Sequence, residues 1–199
     1  MIRHLRHGLV RRKRRLTIAT LVLVALALAA GVWAGGGAGF TRATTSTTLT
    51  KSGTGTSTLA AGADTATTSG ITLTATLDIN FKDAGLGNPD GTVTVTGTVQ
   101  SVSFFWECFN NGGNHPKATN KGIVEVPVPG PISDTFQIDK NGNVTGSLGP
   151  FSASVDGSFC PSGQETHVFA VFNNINLADN VSPPHTLHLD SVTTDTIIY

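Results

Sequence analysis

The sequence predicts an all-β fold, an antiparallel β-sandwich closed by one disulfide. Three observations predict it. An unbroken period of two runs through residues 71–81. Turn chemistry then recurs roughly every 8–12 residues to the last strand. Cys108 and Cys160, the only cysteines, follow a leader of the kind that directs export.

Residues 1–34 form that leader. Arg3, Arg6, Arg11, Arg12, Lys13, Arg14 and Arg15 make a positive start, and an apolar run of Leu, Val, Ala, Ile and Thr follows. Ala27-Leu28-Ala29 and Val32-Trp33-Ala34 offer small-residue cleavage sites. This is the layout of a signal peptide. The alternative is an uncleaved membrane anchor over residues 16–34, which at ~1.5 Å per residue would span roughly 28 Å. Both place the basic end in the cytoplasm and everything after it outside. Arg14-Arg15 also fits a twin-arginine signal, although a run of basic residues makes such a pair cheap.

Residues 35–69 are rich in Thr, Ser, Ala and Gly and poor in apolar side chains. Such a stretch buries too little surface to offset its ordering entropy, and it is expected to be a disordered linker. The alternatives are a carrier of O-linked sugars or a short edge strand around residues 47–51.

Residues 70–199 are the sandwich domain. Ile71, Leu73, Ala75, Leu77, Ile79 and Phe81 share one face of the first strand; Thr72, Thr74, Thr76, Asp78 and Asn80 share the other. Asn88-Pro89-Asp90-Gly91 is a turn. Val93, Val95 and Val99 then point inward. The parity slips afterwards, because Val102, Phe104, Trp106 and Cys108 are even-numbered, and a bulge or bend is expected near Gln100 and Ser101. Residues 123–128 read as an edge strand, since Pro127, Pro129 and Pro131 cannot donate to a ladder. Residues 132–139 and 144–148 flank Lys140-Asn141-Gly142-Asn143, a hairpin signal. Further strands are expected at 151–159, 166–177, 186–192 and 195–199. About 130 residues bury roughly two thirds of their surface, enough for one core.

The formal net charge of zero conceals an asymmetry. From residue 35 onward six basic residues stand against 13 acids, a net of −7. That body repels phosphates, which excludes a basic nucleic-acid binder. Scarcity of Glu, Lys and Leu at helical spacing disfavours bundles and coiled coils.

An even cysteine count in an exported chain predicts a Cys108–Cys160 disulfide. Trp106 lies on the same strand face as Cys108 and is expected to pack near the bridge. Sulfur and tryptophan together are similar to the core of immunoglobulin domains. There the Trp lies between the cysteines, whereas Trp106 precedes both, so the likeness to an Ig-like sandwich is one of architecture.

No catalytic residue, metal site or cofactor is predicted. Asp139-Lys140-Asn141-Gly142-Asn143 starts like a calcium loop, but Val144 and Pro150 stand where such a loop needs Gly and Glu. Asn173, Asn174, Asn176, Asp179 and Asn180 leave weak calcium binding at loops as an alternative. His115, His167, His185 and His188 show no zinc-binding spacing. GxSxG and SxxK are both missing. Glu107 and Glu165, each close to a cysteine, would be brought into one region by the bridge, and two carboxylates are what a glycosidase needs.

Two features carry the binding expectations. Along Ser103-Phe104-Phe105-Trp106-Glu107-Cys108-Phe109, Phe104 and Trp106 share one face while Phe105, Glu107 and Phe109 share the other. One face is core; the second either covers a further element or forms an aromatic patch for a sugar or protein. The loop over residues 110–121 is longer than an ordinary hairpin connection. Trp106, Asn114, His115, Lys117 and Lys121 are the candidate ligand contacts. The opening Cys108-Phe109-Asn110-Asn111-Gly112-Gly113-Asn114, followed by Pro116, resembles a pattern in small secreted proteins of high-GC Gram-positive bacteria. The resemblance implies a lineage and no activity.

The expected function is a non-catalytic, exported sandwich, secreted or held at the extracellular face of the cell envelope. Its expected partners are cell-wall polysaccharide or a surface protein, with no nucleic acid and with membrane contact only through residues 16–34 if the leader is retained. The alternatives are an extracellular hydrolase using Glu107 and Glu165 or the His115 loop, and a self-assembling surface subunit whose 35–69 arm completes a neighbour's sheet.

Overall fold

Nine strands follow one another: β1 (Gly39–Ser52), β2 (Thr72–Ala84), β3 (Thr92–Asn110), β4 (Lys121–Pro127), β5 (Ile132–Gln137), β6 (Val144–Asp156), β7 (Gln164–Asp179), β8 (Thr186–Thr193) and β9 (Ile197–Ile198). The structure, a computed structural model, describes residues 38–53, 70–87, 90–110, 120–161 and 163–199. The leader, residues 54–69, and Asn114, His115 and Lys117 lie outside the described residues.

The strands form two antiparallel sheets. One has three strands in the order β1-β2-β6. The other has six, with β4 and β5 sharing one side of β3, and β7 on its other side followed by β8 and β9. The core lies between them. Leu73, Ala75, Leu77 and Ile79 of β2 have no exposed surface, and neither do Val95, Val102 and Phe104 of β3 or Val168, Ala170, Phe172 and Ile175 of β7. Burying each large apolar side chain contributes about 1.5–3 kcal/mol. The sheets approach closely at Gly97, where an added Cβ would stand 2.7 Å from Phe151 Cζ. At β4 the prolines do mark an edge, since that strand pairs with β3 alone.

The Cys108–Cys160 disulfide is formed. It ties the end of β3 to the connection between β6 and β7. Beside it Trp106 stacks on Phe159, with centroids 5.4 Å apart and planes 7° from parallel. The indole lies over Gly122, where a Cβ would meet it at 2.6 Å.

Three expectations are corrected. Residues 39–52 of the expected linker form β1, in register with β2 from Gly39 opposite Ala84 to Ser52 opposite Thr72; the alternative of an edge strand around 47–51 falls inside it and is too short. Few apolar groups are needed because the backbone ladder closes the open edge of β2. Phe40 and Ala43 still bury, and Phe40 meets Phe81 edge-on at 5.7 Å. On one side this part of the arm is paired within its own chain, and β1 becomes the edge strand of the smaller sheet. Second, the Lys140-Asn141-Gly142-Asn143 turn does not close a hairpin: β5 pairs with β3 and β6 pairs with β2. Asp139 Oδ1 accepts the backbone N–H groups of Asn141 and Asn143 at 2.8 and 2.9 Å, and the turn carries the chain from one sheet to the other. Third, the strands expected at 144–148 and 151–159 are one strand, β6, with a shift of register opposite β2 between Leu77 and Ile79.

Candidate functional site

The change of parity in β3 decides what faces outward. Val99 points into the core, Gln100 is exposed, and Val102 and Phe104 point inward again. β7 changes parity opposite, between Phe172 and Ile175, where Asn174 takes φ 50°. Asn tolerates the left-handed region better than most residues. Its side-chain amide donates to Gln100 Oε1 across the ladder. Because both strands shift together, Val99 stays opposite Ile175 and Val102 opposite Phe172. Beyond the shift every odd-numbered side chain of both strands is turned out.

The outer face there is built in rows across three strands. Ile123, Phe105 and Phe169 form one row; Lys121, Glu107 and His167 form the next; Phe109 and Glu165 form a third. At a strand spacing near 4.8 Å, a row of three spans roughly 10 Å. Phe105 and Phe169 stack at 4.9 Å with 4° between planes. Phe109 leans on the His167 ring at 4.2 Å, and His167 Nε2 lies 3.5 Å from Glu165 Oε1. Ile123 is 61% exposed, unusual for a residue of its type. All of these except Glu165, together with Thr196, line a groove of about 560 Å³. Farther along this face hydroxyls pair between β3 and β5: Thr94 with Thr135 at 3.1 Å and Thr96 with Ser133 at 2.8 Å. Asn173 Nδ2 donates to Ser103 Oγ at 2.9 Å beside the aromatic row.

Among the sequence-predicted contacts, Lys121 and Trp106 line the groove. Trp106 packs its ring against the core and Phe159, so the aromatic surface offered to a ligand comes from the opposite face of β3. Glu107 and Glu165 do meet on one face, on neighbouring strands, with His167 opposite Glu107. The Glu165 side chain is 43% exposed. Among the described residues no nucleophile, base and orienting group converge on the pair. Sequence reasoning missed Phe169 and Ile123, whose place beside Phe105 depends on long-range register.

A second polar cluster lies at the far end of the sandwich. Asp83, with no exposed surface, and Asp179, 6% exposed, continue the inward-facing series of β2 and β7. His185 Nδ1 lies 3.0 Å from Asp83 Oδ1 and 2.8 Å from Asp179 Oδ2. Burial, reinforced by Asp179, pushes the Asp83 carboxyl up to about 6. Sequence inspection named Asp179 only among the residues of a weak calcium alternative, found no zinc spacing around His185, and gave Asp83 no role.

The groove can hold a flat, partly apolar ligand on its aromatic row and donate to or accept from it along the charged row. No protein-family model, curated protein or solved structure matches this chain.

Proposed function

We propose that this is an exported, non-catalytic, Ig-like sandwich of the cell surface or medium that binds cell-wall polysaccharide in the groove on its six-stranded sheet. The observation that carries the reading is the alternation of an aromatic row with a charged row across β4, β3 and β7. A pyranose ring has the matching surface: a C–H face that packs on aromatic rings and a rim of hydroxyls that seek carboxylate and imidazole partners. The sugar's C–H face would lie on the stacked Phe105 and Phe169 while its hydroxyls meet Glu107, Lys121 and His167. An aromatic patch half open to water on a face that elsewhere carries polar side chains supports this reading.

Export is supported by the basic and apolar leader and by a disulfide, which persists in oxidising compartments. The Ig-like assignment is supported by strand order. β2 beside β6, and β3 beside β7 beside β8, match the B–E and C–F–G neighbours of that architecture.

The test is retention. The purified protein is run through native gels cast with cell-wall polysaccharides, and Phe105→Ala is run beside it. Slowed migration of the parent alone, with no reducing sugar released, supports the proposal. Release of reducing sugar, abolished by Glu107→Gln or Glu165→Gln, would turn the reading to a hydrolase. Unretarded migration in every gel overturns it.

A further inference from the structure

We propose that Asp83, Asp179 and His185 form a binding site for one divalent metal ion of the zinc class, joining the two sheets at the end of the sandwich away from the disulfide. One donor atom from each of the three lies within 4.8 Å of the others. The elements that supply them are separate: Asp83 comes from β2 of the smaller sheet, Asp179 from the end of β7 in the larger, and His185 from the turn before β8.

Asp83 Oδ2 has no hydrogen-bond partner although its residue is wholly buried. A carboxylate oxygen buried without a donor is costly. His185 Nδ1 carries at most one proton, yet it stands within 3.0 Å of an oxygen on each aspartate. A single N–H therefore faces two carboxylates and can be directed well at only one. Asp179 is held in place from its other oxygen: Oδ1 accepts the His185 backbone N–H at 2.8 Å and the Val181 N–H at 3.2 Å. That leaves Oδ2 turned toward the imidazole. Metal ligation takes carboxylates and imidazole in their deprotonated forms, and three such donors would carry −2, which a divalent cation cancels.

One nitrogen and two carboxylate oxygens suit zinc, whose bonds to both donor types are about 2.0–2.2 Å. Calcium takes six to eight oxygen ligands instead. Separations of 2.8 and 3.0 Å subtend about 85–90° at a metal with bonds of ~2.1 Å. Drawing the imidazole back by about half an ångström brings these two pairs to the roughly 3.4 Å between tetrahedral donors. The site is separate from the groove, so failure of one leaves the other standing.

The experiment is zinc uptake by untagged protein, measured by equilibrium dialysis after treatment with a chelator and followed by thermal melting. One zinc per chain is expected, with the melting temperature raised by about 5–10 °C at roughly a hundredfold excess over the dissociation constant. Asp83→Asn, which removes charge at nearly constant volume, and His185→Gln are each expected to weaken uptake at least tenfold. His188→Gln, altering the exposed imidazole that lies 3.1 Å from Asp190, leaves it unchanged. Parent protein that takes up no zinc overturns the site without reference to any variant. Uptake that survives His185→Gln, or that is lost with His188→Gln, overturns the assignment.

Discussion

Phe105 and Phe169 lie face to face across the β3–β7 ladder, their centroids 4.9 Å apart and their planes 4° from parallel. They are direct register partners. Side chains so paired have Cβ atoms roughly 4.5–5.5 Å apart, which lets two rings stack without leaving their preferred rotamers. The pair is turned away from the core, and the stacked rings are the platform proposed for the sugar. That orientation follows from the matched change of parity at Gln100 and Asn174.

Asn174 is therefore the residue to alter if the platform is to be tested through the backbone. A β-branched side chain at φ 50° costs about 1–2 kcal/mol. Asn174→Val is expected to lower stability by that amount in urea denaturation and to weaken ligand binding as the ladder shifts. Asn174→Gly, which accepts the same φ, keeps most of the stability and the binding. Equal losses in both variants would show that the conformation is not what matters there.

The disulfide closes a sequence separation of 52 residues. Loop-closure entropy assigns such a crosslink about 4 kcal/mol. Cys108→Ser with Cys160→Ser is expected to lower unfolding stability by an amount of that order, measured against the oxidised parent. Reducing agent should do the same to the parent and nothing to the variant. A parent unaffected by reductant under denaturing conditions would mean that the bridge does not form.

Gly97 tests the closeness of the two sheets. A Cβ there would meet Phe151 at 2.7 Å, Leu177 at 3.2 Å and Leu148 at 3.3 Å. Gly97→Ala is expected to cost about 1–3 kcal/mol through overpacking, read as a lowered denaturation midpoint with an unchanged slope. No loss would mean that the sheets part more easily than this contact implies.

Tyr199 gives the fold an alkaline limit. Its hydroxyl donates to Gly157 O at 2.6 Å, and burial pushes its pKa up to about 12. The unfolded tyrosine releases its proton near 10. The bond therefore stabilises the fold fully below pH 10, and the contribution is lost as pH rises from there through 12. Tyr199→Phe is expected to be less stable than the parent at pH 8, with the difference shrinking by pH 12 in thermal melts. A difference that grows with pH would contradict the assignment.

Much of this fold is legible in the amino-acid order. The alternation over 71–81 yields β2, the prolines mark β4 as an edge, and the even-numbered Val102 and Phe104 reveal the change of parity. β1 shows only as the alternative edge strand at 47–51, because its stability comes from a backbone ladder that a composition of Thr and Ser does not announce. The turn at Asn141 and Gly142 has hairpin chemistry, but turn residues do not say whether the chain stays in one sheet. At the groove, Phe105, Glu107 and Phe109 are legible as one face, while Ile123 and Phe169 join them only through register between distant segments. The aspartates left a local signal that went unused: Asp83 follows Phe81, and Asp179 follows Leu177, in phase with the buried side chains.

The most direct test of the central claim is calorimetric titration of the parent and of the Phe105→Ala, Phe169→Ala double variant with the polysaccharide that retards the parent most. Saturable binding by the parent is expected, weakened at least tenfold in the variant, a loss of about 1.4 kcal/mol or more, with the melting temperature nearly unchanged. Equal affinities for the two proteins, or no saturable binding by the parent, would contradict a carbohydrate platform on this face.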